Sequence, residues 1–216
     1  AEECPFCGRG GGKFRVNVDN GLWDCKVCGE KGNIYIFLRK LWEDSARRGC
    51  DDLGGLARDR KLLSPETLTR WDVVKSHLSL DWVIAGHAPT GNLNQLYRYV
   101  NRIVMATPTL NHQLFGLTAH DHSKPTVYLC EGPWDGMALW EVVSAARDRE
   151  TSVLAVPGCN TFFDVWLPLF NGKWVVLLFD NDHPKEGSSS RTSKPGYDGM
   201  RRTAQMLAGT AKGIHY

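Results

Sequence analysis

The sequence contains no apolar run close to the roughly 20 residues that a membrane-crossing helix needs, and its first residues, AEECPFCGRG, are not a signal peptide. Net charge is also scarce: 26 Lys and Arg against 24 Asp and Glu leave +2, with a pI of about 8.2. Without a polybasic balance, any binding of nucleic acid has to rest on local patches. There is no internal repeat. These absences exclude a membrane partner of the helical kind and point to an intracellular, cytoplasmic protein. The 42% of hydrophobic and 23% of charged residues over 216 positions suit a soluble globular chain, long enough for one or two compact cores. The last residues, GIHY, read as the start of a further strand, so the chain is expected to be a fragment of a longer one.

What is present begins with cysteine. Seven cysteines, an odd number, in a reducing compartment are better ligands or buried thiols than disulfide partners. Cys4-x₂-Cys7 and Cys25-x₂-Cys28 are seventeen residues apart, inside the range of a four-cysteine zinc site. Gly8 and Gly29, each one residue past a knuckle, allow the backbone such turns need. Between the knuckles, KFRVNVDNGLWDC alternates about the Asn20-Gly21 turn signal, giving a zinc ribbon. Zinc alone folds such a segment. A second role is open: Lys13, Arg15, Asn17 and Trp23 as an exposed basic and aromatic face for phosphate contacts and base stacking, with Phe14, Val16 and Val18 closing the ribbon's small core.

The stretch GNIYIFLRKLWEDSARRG has Ile34, Phe37, Leu38 and Leu41 at helical spacing behind an Asn33 N-cap. The polar, glycine-bearing CDDLGGLARDR reads as a flexible linker. Ser64 and Pro65 open another helix, although Thr67 replaces the usual Glu or Gln of a capping box. LYRYVNRIVMATPTLNHQLFGLTAH alternates like two antiparallel strands with the turn near residues 111 to 112, and Arg98 and Arg102 are expected to project from one side of it.

From Thr126 the pattern becomes strand, helix, strand, helix: TVYLC, PWDGMALWEVVSAARDR, VLAVPG, FFDVWLPLF, WVVLLFDND and GMRRTAQMLAG. Alternation of this kind predicts a parallel sheet with helices on both faces. The apolar run Val175 to Phe179 predicts a strand buried on both faces. It ends in Asp180 and Asp182, which on a strand would point the same way. Glu131 ends the first strand at the same edge, and Asp135 follows in the first turn of its helix. Carboxylates that converge without nearby cations call for a metal such as Mg²⁺ or Mn²⁺, which suits phosphoryl or nucleotidyl transfer; a turn and helix-capping cluster is the alternative. HPKEGSSSRTSKPGYD, between the third strand and its helix, is either a surface insertion or a loop whose Lys185, Arg191 and Lys194 reach phosphates. His87, His112, His120 and His122 lack ligand spacing, and Cys130 and Cys159 read as small buried hydrophobes.

VYLCEGPWDGMAL, VPGCNTFF and VVLLFDNDHP together resemble the TOPRIM domain, with its glutamate after the first strand, glycine after the second and Asp-x-Asp after the third. CPFC…WDCKVCGEKGNIYIFL is similar to the zinc-binding domain of bacterial DnaG-type and phage helicase-primase DNA primases. The segment from Tyr97 to His120 resembles the basic subdomain that precedes TOPRIM in them. The resemblance implies an α/β chain with a zinc ribbon over residues 1–44, a linker over 45–60, a mixed α+β basic subdomain over 61–124 and a TOPRIM parallel-sheet domain over 125–216. It implies a DNA primase, a nucleotidyltransferase that makes short RNA primers during DNA replication. Its partners would be single-stranded DNA template, ribonucleoside triphosphates and a replicative helicase, fused or separate. In that scheme Cys4, Cys7, Cys25 and Cys28 hold one structural Zn²⁺; Glu131, Asp180 and Asp182 bind Mg²⁺ or Mn²⁺; and Asp135 completes the catalytic acids. Arg98, Arg102, Lys185, Lys13, Arg15, Asn17 and Trp23 hold nucleotide and template. If the chain is phage-encoded, its compartment is the host cytoplasm. Relatives pass quickly from the Asp-x-Asp into a glycine-bearing helix, so Gly199 aligns with that glycine across the long loop. Many relatives also use His at one zinc position, where this chain has Cys. Two rival readings share TOPRIM: a RecR-like, non-catalytic recombination mediator, which sets a helix-hairpin-helix before its zinc element, and a nuclease, which needs neither ribbon nor basic subdomain.

Overall fold

The computed structural model describes residues 3–48, 52–61, 63–182 and 194–216. The first element group is a three-stranded antiparallel sheet of β1 (Phe14–Val16), β2 (Trp23–Cys25) and β3 (Lys31–Gly32). A turn at Asn20-Gly21 joins the first two strands, with Gly21 at φ 66°. The sheet is too small to bury much surface, and its core is the aromatic group Phe6, Phe14, Trp23 and Phe37 around the cysteines.

Helix α1 (Ile34–Arg47) starts where Asn33 accepts a hydrogen bond from the Ile36 N–H at 3.1 Å. Its apolar side serves two bodies. Phe37 enters the ribbon core, while Leu38, Leu41 and Trp42 pack on Ala85, Leu93 and Leu96 of the next sheet. The segment expected to be a linker is largely structured: residues 53–59 form α2 (Leu53–Asp59), with Leu56 and Ala57 buried beside Trp71 and Ile84. Leu53, Leu56 and Ala57 are an i, i+3, i+4 stripe that the glycines mask. Gly55 in fact leaves room for Asp52, whose carboxylate caps α2 through the Gly55 N–H at 3.1 Å. Helix α3 (Pro65–Arg70) follows, capped by Ser64 as expected.

Strands β4 (Val73–Lys75), β5 (Trp82–His87), β6 (Leu93–Val100) and β7 (Ile103–Ala106) form an antiparallel sheet in sequential order. The hairpin turn lies at Asn101-Arg102, not at 111 to 112. Both residues have positive φ, 50° and 66°, as in the two-residue turn whose twist matches paired strands, a turn that favours Asn at its first position. Residues 114 and 115 instead tie the two large sheets together. Leu114 bridges His87, and Phe115 exchanges both backbone hydrogen bonds with Ala155 at 2.9 and 3.2 Å. Trp71 is wedged at the same joint, where a Cβ on Gly116 or Gly136 would overlap its ring.

The last body is a parallel sheet in the order β11-β10-β8-β9, from β8 (Thr126–Glu131), β9 (Thr151–Val156), β10 (Trp174–Leu178) and β11 (Gly213–His215). Helix α4 (Pro133–Ala145) covers β8 and β9 on one face, and α5 (Pro195–Leu207) with a 3₁₀ segment (Asp164–Phe170) covers the other. β9 is buried at every residue. β10 departs from the expectation of two covered faces: α4 does not reach it, so Trp174 and Leu178 stay 38% and 43% exposed while Val175 and Leu177 are buried. Among the described residues no helix is long and apolar enough to cross a membrane.

Candidate zinc site and acidic edge

The four knuckle cysteines come together. Their sulfurs all lie within 4.8 Å of one another, with Cys4 Sγ 3.9 Å from Cys28 Sγ and Cys7 Sγ 3.9 Å from Cys25 Sγ. Bonds of ~2.3 Å to a tetrahedral zinc require sulfur separations of about 3.8 Å, so the donor set and its geometry fit one Zn²⁺. Gly8 (φ 68°) and Gly29 (φ 77°) close the two knuckles, donating to the Cys4 carbonyl at 2.8 Å and the Cys25 carbonyl at 2.9 Å.

The ribbon surface differs from the sequence expectation in three places. Trp23 is buried at 5% exposure, with its indole N–H donating to the Asn33 carbonyl at 2.9 Å, so it serves the core and has no free face for a base. Val16 and Val18, expected inside, are 51% and 91% exposed. Each knuckle brings an aromatic neighbour inward, and the short strands end before the valines are covered. Asn17 is committed to its own turn, its Oδ1 accepting from the Asp19 and Asn20 N–H groups at 2.9 and 3.3 Å. Lys13 and Arg15 are exposed as expected. Val16, Val18, Leu22 and Ile36 wall a shallow groove of about 810 Å³ whose margin carries both signs of charge, Arg15 and Lys31 beside Asp19 and Asp24.

At the carboxyl edge of the parallel sheet, Glu131 ends β8 and Asp135 lies in the first turn of α4. Gly132 between them has φ 92°, a conformation open to glycine and strained for other residues, and it lets the chain leave the strand directly into the helix. β10 stops at Leu178, so Asp180 and Asp182 stand in the loop beyond it rather than on the strand. They still border Glu131: the Asp180 N–H donates to Glu131 Oε2 at 3.2 Å. The Gly196 N–H, in the first turn of α5, donates to Asp182 Oδ2 at 2.9 Å. Helix N-termini favour such anionic partners. A Cβ on Gly196 would overlap the Asp180 carbonyl oxygen and come within 3.2 Å of Glu131 Oε2; one on Gly199 would overlap the Cys159 carbonyl. Two glycines on one helix face thus let α5 press against the acids. The sequence reading singled out Gly199 and missed Gly196, although Pro195-Gly196 is a helix-start signal of the same kind.

Burial raises the Glu131 carboxyl above its usual range, and the Asp180 and Asp182 charges add to the rise against the N–H groups of Asp180 and Cys159. Burial also raises Asp135, with Asp180 contributing and Arg60 opposing. Charges that raise one another's pKa in this way are short of cations, and an all-oxygen donor set suits a hard divalent ion. The carboxylates are neighbours and not a closed cage. Among the described residues, only the four cysteines gather three or more His, Cys, Asp or Glu ligand atoms within 4.8 Å. Part of the reason is that Glu131 and Asp182 already accept backbone hydrogen bonds.

The expected basic residues are dispersed. Arg98 lies with Leu96 and Ala85 on the face of the antiparallel sheet that α1 covers, whereas Tyr97 belongs to the opposite face, toward the parallel-sheet body. Arg98 Nη2 pairs with Asp81 Oδ2 at 2.6 Å, and so Arg98 does not join the acids. Arg102 is exposed in the β6–β7 turn, so the two arginines do not project together from a strand. Lys194 is exposed just before α5, while Lys185 and Arg191 lie outside the described residues.

No family model matches the chain, and no curated protein matches it as a relative. Solved structures do. The zinc-binding and RNA polymerase domains of the Aquifex aeolicus primase match with a TM-score of 0.60 at 14% identity, over 98% of this chain and 70% of that one. The primase fragment of the bacteriophage T7 primase-helicase protein matches at 0.51 and 16% identity, over 98% and 88%. Primase domains in a complex with the T7 lagging-strand DNA polymerase, bound to an RNA/DNA hybrid and dTTP, match at 0.50 and 17% identity, over 70% and 74%. At these identities the likeness is one of fold. This chain has the fold of a primase zinc-binding domain followed by an RNA polymerase domain, with the ribbon and the parallel sheet in that order.

Proposed function

We propose that the chain is a DNA primase that makes short RNA primers on single-stranded DNA by metal-dependent ribonucleotidyl transfer. One observation carries this reading: a four-cysteine ribbon, an antiparallel subdomain and a parallel sheet with Glu131, Asp180 and Asp182 at its carboxyl edge occur together in primase order. Residues 1–44 form the template-binding part and 125–216 the catalytic part, with 61–124 between them. Residues 45–60, which include α2, join the first part to the second.

The groove of the ribbon, with Arg15 and Lys31 beside apolar Val16, Leu22 and Ile36 and with exposed Lys13 just before β1, suits a single strand whose phosphates meet these cations and whose bases meet an apolar floor. Arg102, exposed in the β6–β7 turn, adds charge along the template path, Arg98 being held by Asp81, and Lys185 is assigned to the triphosphate. Glu131, Asp180 and Asp182 would hold Mg²⁺ or Mn²⁺, which when bound stabilises the attacking and leaving oxygens of an in-line displacement. The 3′-hydroxyl oxygen of one ribonucleotide forms a bond to the α-phosphorus of the next, the bond to the β-phosphate breaks, and pyrophosphate leaves. Glu131 serves either as a ligand of that metal or as the base that accepts the hydroxyl proton. A replicative helicase, fused or separate, is the partner that supplies exposed template; the T7 neighbour is a primase-helicase protein.

Incubation with mixed-sequence single-stranded DNA, labelled ribonucleotides and Mg²⁺ or Mn²⁺ tests the reading. Short RNA products are expected. DNA bound without synthesis under either metal contradicts it in favour of a recombination mediator, and a shortened template does so in favour of a nuclease.

A further inference from the structure

Among the described residues, Arg60 is a cation whose charge reaches Asp135 at the acidic edge, and the sequence pattern places it in a linker. Arg60 caps the end of α2. Its guanidinium carbon sits 4.4 Å from the centre of the Trp134 ring and 5.9 Å from that of Tyr99. Nη1–H donates to the Tyr99 hydroxyl at 3.3 Å, and the two rings meet edge to face at 4.7 Å. Trp134 is the residue before Asp135 in the first turn of α4, and Tyr99 comes from β6. Three elements therefore hold one guanidinium plane at the rim of the acids. Stacking grips a guanidinium by its face and leaves its N–H edge for planar oxyanions such as phosphate.

One observation argues against a merely structural arginine. Among the described residues no carboxylate lies within ion-pair distance of it, although Asp135 is near enough to feel its charge. Its Nε–H is buried without an acceptor, as are the indole N–H groups of Trp71, Trp134 and Trp166, and Nη1 already donates to Tyr99, so among the described residues Nη2 is the remaining nitrogen with no hydrogen-bond partner. Lys61 follows at once, exposed and at φ 61°, and lines a groove with Arg58 and Pro65 away from the acids.

We propose that Arg60 anchors the polyphosphate of the incoming ribonucleoside triphosphate. This rests on the nucleotidyl-transfer reading of the acids. One end of the polyphosphate faces Glu131, Asp180 and Asp182, and the far phosphate oxygens take the N–H edge of the clasped guanidinium.

Calorimetric titration with inorganic tripolyphosphate and Mg²⁺, run beside thermal melts and primer synthesis, tests it on the parent, Arg60→Met and Arg60→Lys. Met keeps a flexible stem on Trp134 without the charge, so the melt stays near that of the parent. Loss of a charge-assisted phosphate contact should weaken binding about tenfold and raise KM for nucleotide with little change in kcat. Lys, charged but without the planar fork, recovers part of the loss. Tripolyphosphate binding by Arg60→Met within about twofold of the parent, less than the loss of one such contact gives, overturns the proposal, as does a parent that does not bind it. Should Arg60→Met not fold, Tyr99→Phe removes only the hydroxyl that orients Nη1: binding about threefold weaker, the scale of one neutral hydrogen bond, supports the anchor, and unchanged binding overturns it. If binding depends on Arg60 but the parent makes no RNA, the primase reading falls and the anchor stands. If the parent makes RNA and binding ignores Arg60, the reverse holds.

Discussion

In the ribbon, four thiols from two short knuckles close to within 4.8 Å of one another around an aromatic core of a few side chains. At the carboxyl edge of the parallel sheet, Glu131, Asp135, Asp180 and Asp182 arrive from a strand end, a helix and a loop, over a core that includes Val127, Leu129, Leu154 and Phe170. The ribbon has a closed thiol set and a small core; the acidic edge has a large core and carboxylates that raise one another's pKa. Under the proposed function a metal would have opposite meanings in the two places. It would supply structure in the first and relieve charge, while enabling chemistry, in the second.

Removing the metal from the ribbon should have the largest effect. Structural zinc contributes about 10–16 kcal/mol in small finger peptides, so chelation or Cys7→Ser should abolish hydrogen-exchange protection in β1–β3 while β8 and β9 keep theirs. Protection surviving in the ribbon would mean that its aromatic core suffices. At the acidic edge the effect falls on activity. Glu131→Gln and Asp180→Asn should each lower synthesis by about a hundredfold or more, since a metal ligand supplies several kcal/mol of transition-state stabilisation. The same substitutions should leave the melting temperature unchanged or raise it, because they remove a repelling charge.

The parallel-sheet body also has a pH dependence of its own. Burial pushes His120 down to about 4, helped by His122 and Lys173, and its Nδ1 faces the Ser152 hydroxyl at 2.7 Å. The unfolded chain binds that proton more readily, at about 6.5. The stabilisation is therefore full above pH 6.5 and is lost as the pH falls from there through 4. Glu131 and Asp135 work in the other direction, since raised carboxyls gain from protonation. Chemical denaturation of the zinc-loaded protein should show His120→Asn losing up to about 3 kcal/mol less than the parent between pH 7 and 4. A parallel loss in both would assign the dependence elsewhere. A smaller effect is expected of Gly196→Ala, at about 1–3 kcal/mol of overpacking, with α5 forced off the acids and synthesis reduced while zinc content is unchanged. Unreduced synthesis in Gly196→Ala would mean that the first turn of α5 does not support the site.

The same contrast explains what could be read from the sequence. Spacing alone reveals the zinc cluster, because two Cys-x₂-Cys turns bring their own geometry with them. The alternation after Thr126 reveals the parallel sheet, and the acids at its strand ends follow from the rule that ligands gather there. Side-chain direction was less legible. Trp23 and Val16 occupy the same face of β1 and β2 across the Val16↔Trp23 pair, and only the arrival of Phe6 and Phe37 decides that the tryptophan is covered and the valine is not. Arg98 reads as a partner for nucleotide until strand parity turns it toward α1. Arg60 was hidden because Gly54 and Gly55 disguised α2, and its aromatic clasp is built from residues 39 and 74 positions away.

The division of labour between the two regions is the central claim, and one experiment separates its halves: template binding and primer synthesis measured on the same samples of parent, Asp180→Ala and Cys7→Ser. The account predicts that Asp180→Ala binds single-stranded DNA like the parent and makes no RNA, whereas Cys7→Ser loses template binding and synthesis together. Synthesis by Asp180→Ala, or undiminished template binding by Cys7→Ser, would contradict it.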